Sequence, residues 1–339
     1  MARARIPDSV LTAAHERARA RASRDWATAD RLRAEIEAAG WTIVDRGTDF
    51  ALTPSAPPDV ADGGRVRYGA SANVPSRLED APTGVATVVL IATDWPADLD
   101  RALDGLRASS PPGTSIVIVA DAPSEPQAAA LVAMVGRGEA HDTGDETESR
   151  DPSAVEVVWT SERLGHGAAT NIGIRRTAGP VVILLDTSLE PTADIVTPLV
   201  DALDDPSVAV VGGWGITSTD LRTFNDAPAG DVDAIEGYCQ AFRREDFVRL
   251  GPLDERFRFY RNLDIWWSLV LRDGAEDDAP RRAVRLDGLP LDRHEHRGWS
   301  SLPEDERARQ SKRNFYRIID RFGSRRDLLV AGRGGGVEG

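Results

Sequence analysis

The sequence predicts an α/β protein, a doubly wound and mostly parallel sheet with a small N-terminal helical hairpin appended. Three observations lead there. Apolar runs rich in β-branched residues, such as "VATVVLIA" and "PVVILLD", read as strands buried on both faces, as the strands of parallel sheets are. Amphipathic segments of helical period separate these runs, so each strand reaches the next through a crossover helix. Two of the runs end on an aspartate before a turn, which places carboxylates at one edge of the sheet.

The elements follow in order. Residues 8–40, "DSVLTAAHERARARASRDWATADRLRAEIEAAG", read as two helices that open with a cap at Asp8 or Ser9 and close at Gly40. In the second, Trp26, Ala29, Leu32 (or Arg33) and Ile36 recur at helical spacing as one apolar stripe. "WTIVDRG" is a short strand turning at Gly47, and residues 1–53 together are too few to bury much core alone. Residues 54–82, rich in Pro, Gly, Ala, Ser and Asp, are expected to be a linker with a short strand at "RVRYGA". The main domain, residues 83–325, begins with the strand "VATVVLIA" and the helix "ADLDRALDGLRAS". The strand "TSIVIVAD", the helix "EPQAAALVAMVG", the strand "AVEVVWT", the helix "HGAATNIGIRRTA" and the strand "PVVILLD" continue it. Right-handed crossovers make that succession doubly wound. Residues 137–153 are acidic and without periodicity, the pattern of a mobile inserted loop. A helix ("TADIVTPLVDAL"), a strand ("SVAVVGGWG") and a less regular half follow, closing on the helix "DERARQSKRNFYRIIDRF". Residues 326–339 read as a disordered tail.

Composition narrows the function. The 339 residues carry a net charge of −14, which argues against a nucleic-acid partner because that affinity rests on neutralising phosphates. Lys312 is the sole lysine, so arginine supplies nearly all positive charge. A single cysteine, Cys239, excludes a disulfide framework and any multi-cysteine zinc site. No apolar run approaches the roughly 20 residues needed to span a bilayer. The opening "MARARIPDSV" lacks the apolar core of a secretory signal, so the expected location is cytoplasmic.

Ligands of open parallel sheets bind at the carboxyl ends of the strands. Asp121 ends the second main-domain strand, Arg163, Gly165 and His166 follow the third, and Asp186 ends the fourth. An aspartate there also serves as a helix cap, but three such features in order favour a ligand site over three caps. The segments "VADAPS", "ERLGHGAATNIGIRRTAG", "LLDTS", "EGYCQAFRREDFVRLGPLDERF", "RNLDIWWSLVLRDG" and "HEHRGWSS…KRNFYRIIDRF" resemble, in that order, those of family 2 glycosyltransferases and their GT-A relatives. The resemblance covers roughly residues 85–323. It implies a GT-A fold and transfer of a sugar from a nucleoside-diphosphate donor to an acceptor hydroxyl of a glycan, lipid or protein, with inversion and with Mg²⁺ or Mn²⁺. Carried onto this chain, it places Asp121 at the base or ribose, and has Gly165 and Asn171 shape the loop and helix facing the nucleotide. Arg163 and Gly237 are further substrate-binding positions. Asp186 would lie beside the diphosphate and metal, with Ser188 and either His294 or His296 completing the metal shell. Asp264 would be the catalytic carboxylate.

The chain departs from that pattern at two chemical positions. Arg261 and Asn262 stand where the family has an acidic pair, and positioned proton transfer contributes about 10²–10⁴-fold in rate. Ser188 stands where a second metal acid is expected, although a hydroxyl also ligates Mg²⁺ in phosphate-binding loops. Asp94, Asp254 and Glu255 are acids available to compensate. Helical spacing puts Asp264 and Ser268 on one face, where Asp264 either faces the site or caps its helix. A catalytically reduced relative that binds nucleotide sugar or glycan without turnover is therefore the second reading. Trp214, Trp266, Trp267 and Trp299 offer a sugar-stacking surface, with core packing the alternative for at least one of them. Separately, "ARARASRDWATADRLRAEIEAAGWTIVDRGTDF" resembles the C-terminal end of cysteinyl-tRNA synthetases over about residues 17–50. "HIGH"- and "KMSKS"-like segments are absent, so that stretch reads as an amphipathic hairpin with solvated arginines. An RNA-associated role acting through the hairpin is the third reading.

Overall fold

The computed structural model describes residues 6–47, 49–139, 155–273 and 279–333, which form two compact units, 1–58 and 59–339. In the first, α1 (Asp8–Ala22) and α2 (Trp26–Ala38) form a hairpin, followed by an antiparallel ribbon of β1 (Trp41–Arg46) and β2 (Asp49–Pro54). Asp25 caps α2 by accepting the Thr28 amide at 3.1 Å, the usual use of a short acidic side chain at that position. Val10, Ala14, Ile36, Trp41 and Ile43 make a small core, with Ala29 and Leu32 buried as the stripe requires. Trp26 differs: it is 55% exposed, beneath the Arg21 guanidinium at 5.8 Å. As the first residue of α2, it leans back toward the helix N-terminus, beyond the apolar stripe. Arg17, by contrast, is buried against Asp45 at 2.7 Å rather than solvated.

The second unit is built on β3 (Val60–Asp62), β4 (Arg65–Tyr68), β5 (Ala86–Ile91), α3 (Pro96–Ser109), β6 (Thr114–Ala120), α4 (Glu125–Glu139), β7 (Val155–Thr160), α5 (His166–Arg175), β8 (Val181–Leu185), β9 (Leu189–Pro191) and α6 (Val196–Ala202). It continues through β10 (Val208–Gly212), β11 (Gly215–Thr217), β12 (Asn225–Asp226), β13 (Gly230–Val232), β14 (Ala234–Ile235), β15 (Cys239–Arg243), α7 (Arg244–Leu250), α8 (Leu263–Asp273), β16 (Arg282–Arg285), β17 (Leu291–Arg293), α9 (Arg297–Ser300), α10 (Glu304–Phe322) and α11 (Val330–Arg333). Among the described residues ten strands make one sheet, in the order β13-β16-β10-β15-β8-β5-β6-β7-β4-β3. Its centre, β8-β5-β6-β7-β4, is parallel throughout. Antiparallel β15 inserts between β8 and β10.

Successive residues of the central strands enter opposite cores, as a two-residue period demands. Val89, Val117, Val119 and Val182 face the core shared with α5 and α8, whereas Val88, Leu90, Ile116, Ile118 and Ile183 face the core beneath α3 and α6. The α5 helix lies so close to the sheet that a methyl group at Gly173 would fall 2.3 Å from Val89 Cγ1.

Within residues 54–82 the strand expected at "RVRYGA" is β4, and with β3 it extends the large sheet. Their Pro and Gly content fits an edge, where a ladder tolerates missing donors. The segment is also tied down from outside: the buried Arg244 guanidinium donates to the carbonyls of Arg77 (3.1 Å), Leu78 (3.0 Å) and Asp80, and to those of Thr177 and Ala178. Of the expected disordered tail, residues 326–333 carry a 3₁₀ turn and α11, with Leu328 and Leu329 buried in the main core, and residues 334–339 lie outside the described residues. Of the segment expected to be a mobile loop, residues 140–153 lie outside the described residues. The close approach of α5 has a measurable consequence. Gly173→Ala is expected to destabilise the protein by about 1–3 kcal/mol through overpacking against Val89, read as a lower midpoint in urea unfolding.

Candidate active site

Because β5, β6, β7 and β8 run parallel, their carboxyl ends share one edge, and a cavity of about 650 Å³ opens there. Asp121, Arg163, Gly165, Asp186, Gly237, Asp264 and His296 all line it. The wall is completed by the turn 236–238, the segment 258–264 and α9.

Asp121 follows β6 and accepts the amides of Leu164 at 2.7 Å and Gly165 at 2.9 Å, with Thr160 Oγ1 at 3.1 Å. Both of its oxygens thus organise the loop leading into α5. Gly165 has φ +96, and a Cβ there would stand 2.8 Å from Arg258 Cα, so only glycine fits. The α5 N-terminus is already satisfied, since His166 and Gly167 donate to the carbonyls of Arg258 and Phe257 at 3.1 and 2.9 Å. Arg163 reaches across to Asp94 at 3.2 Å and to the Ala122 carbonyl at 3.3 Å.

Asp186 follows β8. Its Oδ1 accepts the Ser188 amide at 2.8 Å and its Oδ2 stands 3.3 Å from His296 Nε2. Burial works against both charges, but each partner's charge and hydrogen bond prevail: the Asp186 carboxyl is held below its usual range and the His296 imidazole above it. The Tyr260 ring stacks on His296, with centroids 4.7 Å apart. Half-buried His166 behaves oppositely. Burial pushes it down to about 4, with Asp186 opposing and His296 reinforcing that shift.

Asp264 sits in the first turn of α8, whose N-terminus is stitched onto the 235–240 turn. Its Oδ2 accepts the Gly237 amide at 2.8 Å, and Ser268, one turn on, accepts the Ile235 amide at 3.1 Å and the Gln240 amide group at 2.9 Å. The shared face expected of Asp264 and Ser268 is the one that meets this turn. Burial first, eased by the Gly237 amide, the field of the first α8 amides and Arg261, raises the Asp264 carboxyl above its usual range.

Three expected positions lie off the cavity wall. Asn171 spends its side chain on the Leu253 backbone at 2.9 Å both ways and on Glu255 at 3.0 Å, pinning α5 to the 253–255 loop. The Ser188 hydroxyl is buried and outside the lining, and it makes no hydrogen bond among the described residues. His294 pairs with Glu190 at 2.8 Å, which leaves His296 as the histidine of the site. Of the compensating acids, Asp94 lines the cavity, whereas Asp254 is engaged by Arg256 at 2.6 Å and Glu255 by Asn171. Trp266 and Trp267 are buried, Trp267 with an edge on the cavity, and Trp214 packs 5.6 Å from Tyr238 outside the lining. The Trp299 side chain lies outside the described residues.

Comparison with known proteins agrees with this geometry. Residues 87–261, about half of the chain, match the family model described as Glycosyl transferase family 2. The chain belongs to this family. Its fold is GT-A, and two solved structures share it. One is mannosyltransferase PcManGT from Pyrobaculum calidifontis in complex with GDP-Man and Mn²⁺, 19% identical, with 76% of this chain and 71% of that chain covered at a TM-score of 0.52. The other is GalNAc-T7 with UDP, GalNAc and Mn²⁺, 16% identical, with 70% of this chain and 48% of that chain covered at a TM-score of 0.55. A separate stretch of 53 residues is 43% identical to cysteine–tRNA ligase from Opitutus terrae, covering 16% of this chain and 12% of that ligase.

For a family 2 chain, sequence reasoning overlooked Glu236, Tyr238 and Tyr260 on the cavity wall. A signal for Glu236 was present: it directly precedes Gly237, a position already singled out.

The two histidines should be separable by titration. In histidine-resolved NMR, His166 is expected to stay neutral until near pH 4, while His296 protonates above the usual 6.5. A histidine whose folded pKa is depressed resists protonation more than the unfolded chain does. Its contribution is present above about pH 6.5 and is lost as the pH falls toward 4. His166→Asn is therefore expected to remove a loss on the order of 3 kcal/mol across that window, read by urea unfolding at a series of pH values.

Proposed function

We propose that this chain transfers a sugar from a nucleoside-diphosphate donor to an acceptor hydroxyl, with inversion and with a divalent cation at the diphosphate. The observation that carries this reading is the meeting of Asp121, Asp186, Asp264 and His296, from four separate elements, on one cavity of about 650 Å³. That volume falls within the range of small-molecule sites. The nucleotide sugars and Mn²⁺ named for the two structural neighbours are of the class proposed.

The donor set bears on the cation. Among the described residues no three His, Cys, Asp or Glu side chains are grouped to hold a metal ion. Asp186 Oδ2 and His296 Nε2, 3.3 Å apart, would be the protein's donors to such an ion, His296 in its neutral form. Two protein ligands suit Mg²⁺ or Mn²⁺, which take the remainder from substrate phosphates and water. Ser188 does not join them, because its hydroxyl lies off the lining. A cation held by Asp186 and His296 would neutralise charge on the departing diphosphate. The chain's own residues do the rest. Tyr260 holds the His296 ring by stacking, Asp121 fixes the 164–165 loop, and the acids beside Gly237 supply a carboxylate for the acceptor proton, where the sequence points to Asp264. Binding without turnover is the second reading. It is favoured by Asn262, which replaces an acid of the family pattern, has φ +68, and spends its amide group on the Ser311 carbonyl at 3.0 Å.

Calorimetry with UDP and GDP in the presence of Mn²⁺ is expected to show binding that Asp186→Ala weakens at least tenfold. Hydrolysis of the matching nucleotide sugar by the wild type separates transfer from binding alone. Failure of the protein to bind any nucleoside diphosphate would discard transfer and nucleotide-sugar binding alike, leaving only the glycan-binding form of the second reading.

A further inference from the structure

Glu236 and Asp264 line the α8 side of the cavity, with Asp226 of β12 near Glu236, and the surroundings of Glu236 and Asp264 differ. Asp264 is held through one carboxylate oxygen and its carbonyl. Its Oδ2 takes the Gly237 amide at 2.8 Å, its carbonyl takes the Gln240 amide group at 3.3 Å, and its Oδ1 is buried with no hydrogen bond among the described residues. An oxygen that water does not reach is poorly placed to meet an acceptor hydroxyl. Glu236 is one residue from that same Gly237 amide. Its backbone is anchored by donation to the Trp214 carbonyl at 3.0 Å, while its longer side chain is half-buried and lines the cavity. Among the described residues its carboxylate accepts no hydrogen bond, and it lines the cavity.

We propose that Glu236, rather than Asp264, takes the proton of the acceptor hydroxyl, and that Asp264 positions the turn that carries it. The assignment rests on the transfer reading above. In the step, the acceptor oxygen bonds to the anomeric carbon as that carbon's bond to the diphosphate oxygen breaks. The bonding electron pair leaves with the nucleoside diphosphate, and the hydroxyl proton passes to the Glu236 carboxylate.

The groups facing Glu236 come from four elements: Asp264 on α8, Asp226 on β12, Arg261 ahead of α8 and Arg293 on β17. Burial, then the Asp264 and Asp226 charges, push the Glu236 carboxyl up, with Arg293 and Arg261 pulling it back. A carboxylate raised toward the working pH is a better general base than an unperturbed one. Arg261 thereby has a role in a position where the family pattern carries an acid: it limits the repulsion between two carboxylates that share the wall.

The experiment is hydrolysis of UDP- and GDP-sugars by the wild type, Glu236→Gln and Asp264→Asn across a pH series, with nucleoside-diphosphate affinity measured by calorimetry for each. Glu236→Gln is expected to lose about 10²–10⁴-fold in kcat with affinity unchanged. Asp264→Asn is expected to lose less, and the acid limb of its pH–rate profile should move to lower pH, because removing a neighbouring negative charge lowers the Glu236 pKa. Carboxyl-carbon NMR reads that same downward shift of Glu236 without turnover, which a purely structural role of Asp264 would not produce. Wild-type hydrolysis rates in Glu236→Gln would overturn the proposal, as would complete loss in Asp264→Asn with Glu236 titrating as before. A wild type that binds nucleoside diphosphate but hydrolyses no donor would instead overturn the transfer reading, and this assignment with it.

Discussion

A strand buried on both faces has no place for a charge until it ends, and that constraint organises this molecule. The runs of β5, β6 and β8 carry no charge along their length, and their apolar side chains enter one of two cores. Charge can appear only where the chain leaves the sheet, at Asp94, Asp121 and Asp186. Since the strands are parallel neighbours, those exits fall along a single edge. The cavity is what the fold leaves at that edge, and its electrostatics come from carboxylates that had nowhere else to stand.

Once gathered, the charged groups must be satisfied or neutralised, since each lies in a partly desolvated wall. Three local solutions are visible. Asp121 is satisfied by backbone amides and so becomes a scaffold for the 164–165 loop. Asp186 is satisfied by an imidazole that reaches it from 110 residues away in the sequence, and each partner favours the other's charged form against burial. Glu236 and Asp264 are satisfied least, and both are pushed toward the protonated form.

The fold was legible in the sequence wherever a long periodic run existed. The strands "VATVVLIA", "TSIVIVAD" and "PVVILLD" and their intervening helices stand where the pattern places them, because a doubly buried strand and an amphipathic helix each leave a strong signature. The short strands β9, β12, β13, β14 and β17 were not legible, since two or three residues hold no period. In residues 54–82 the strand at "RVRYGA" was legible. The pairing of Arg67 and Tyr68 with β7 and the reach of Arg244, which order the segment from a distance, were not.

For the site, the sequence by itself determined which residue types would stand at the strand ends, because burial of the runs leaves charge no other position. It therefore singled out Asp121, Arg163, Gly165 and Asp186 without knowledge of their neighbours. Only the tertiary structure decided what approaches them: that His296 rather than His294 meets Asp186, that Asn171 turns to the 253–255 loop, that the Ser188 hydroxyl is buried off the cavity lining, and that Glu236 comes to lie beside Asp264. Each of these depends on segments tens to more than a hundred residues apart packing on one another. Local pattern carries no record of such meetings, because they are chosen by the shape of the whole core rather than by the period of any one element.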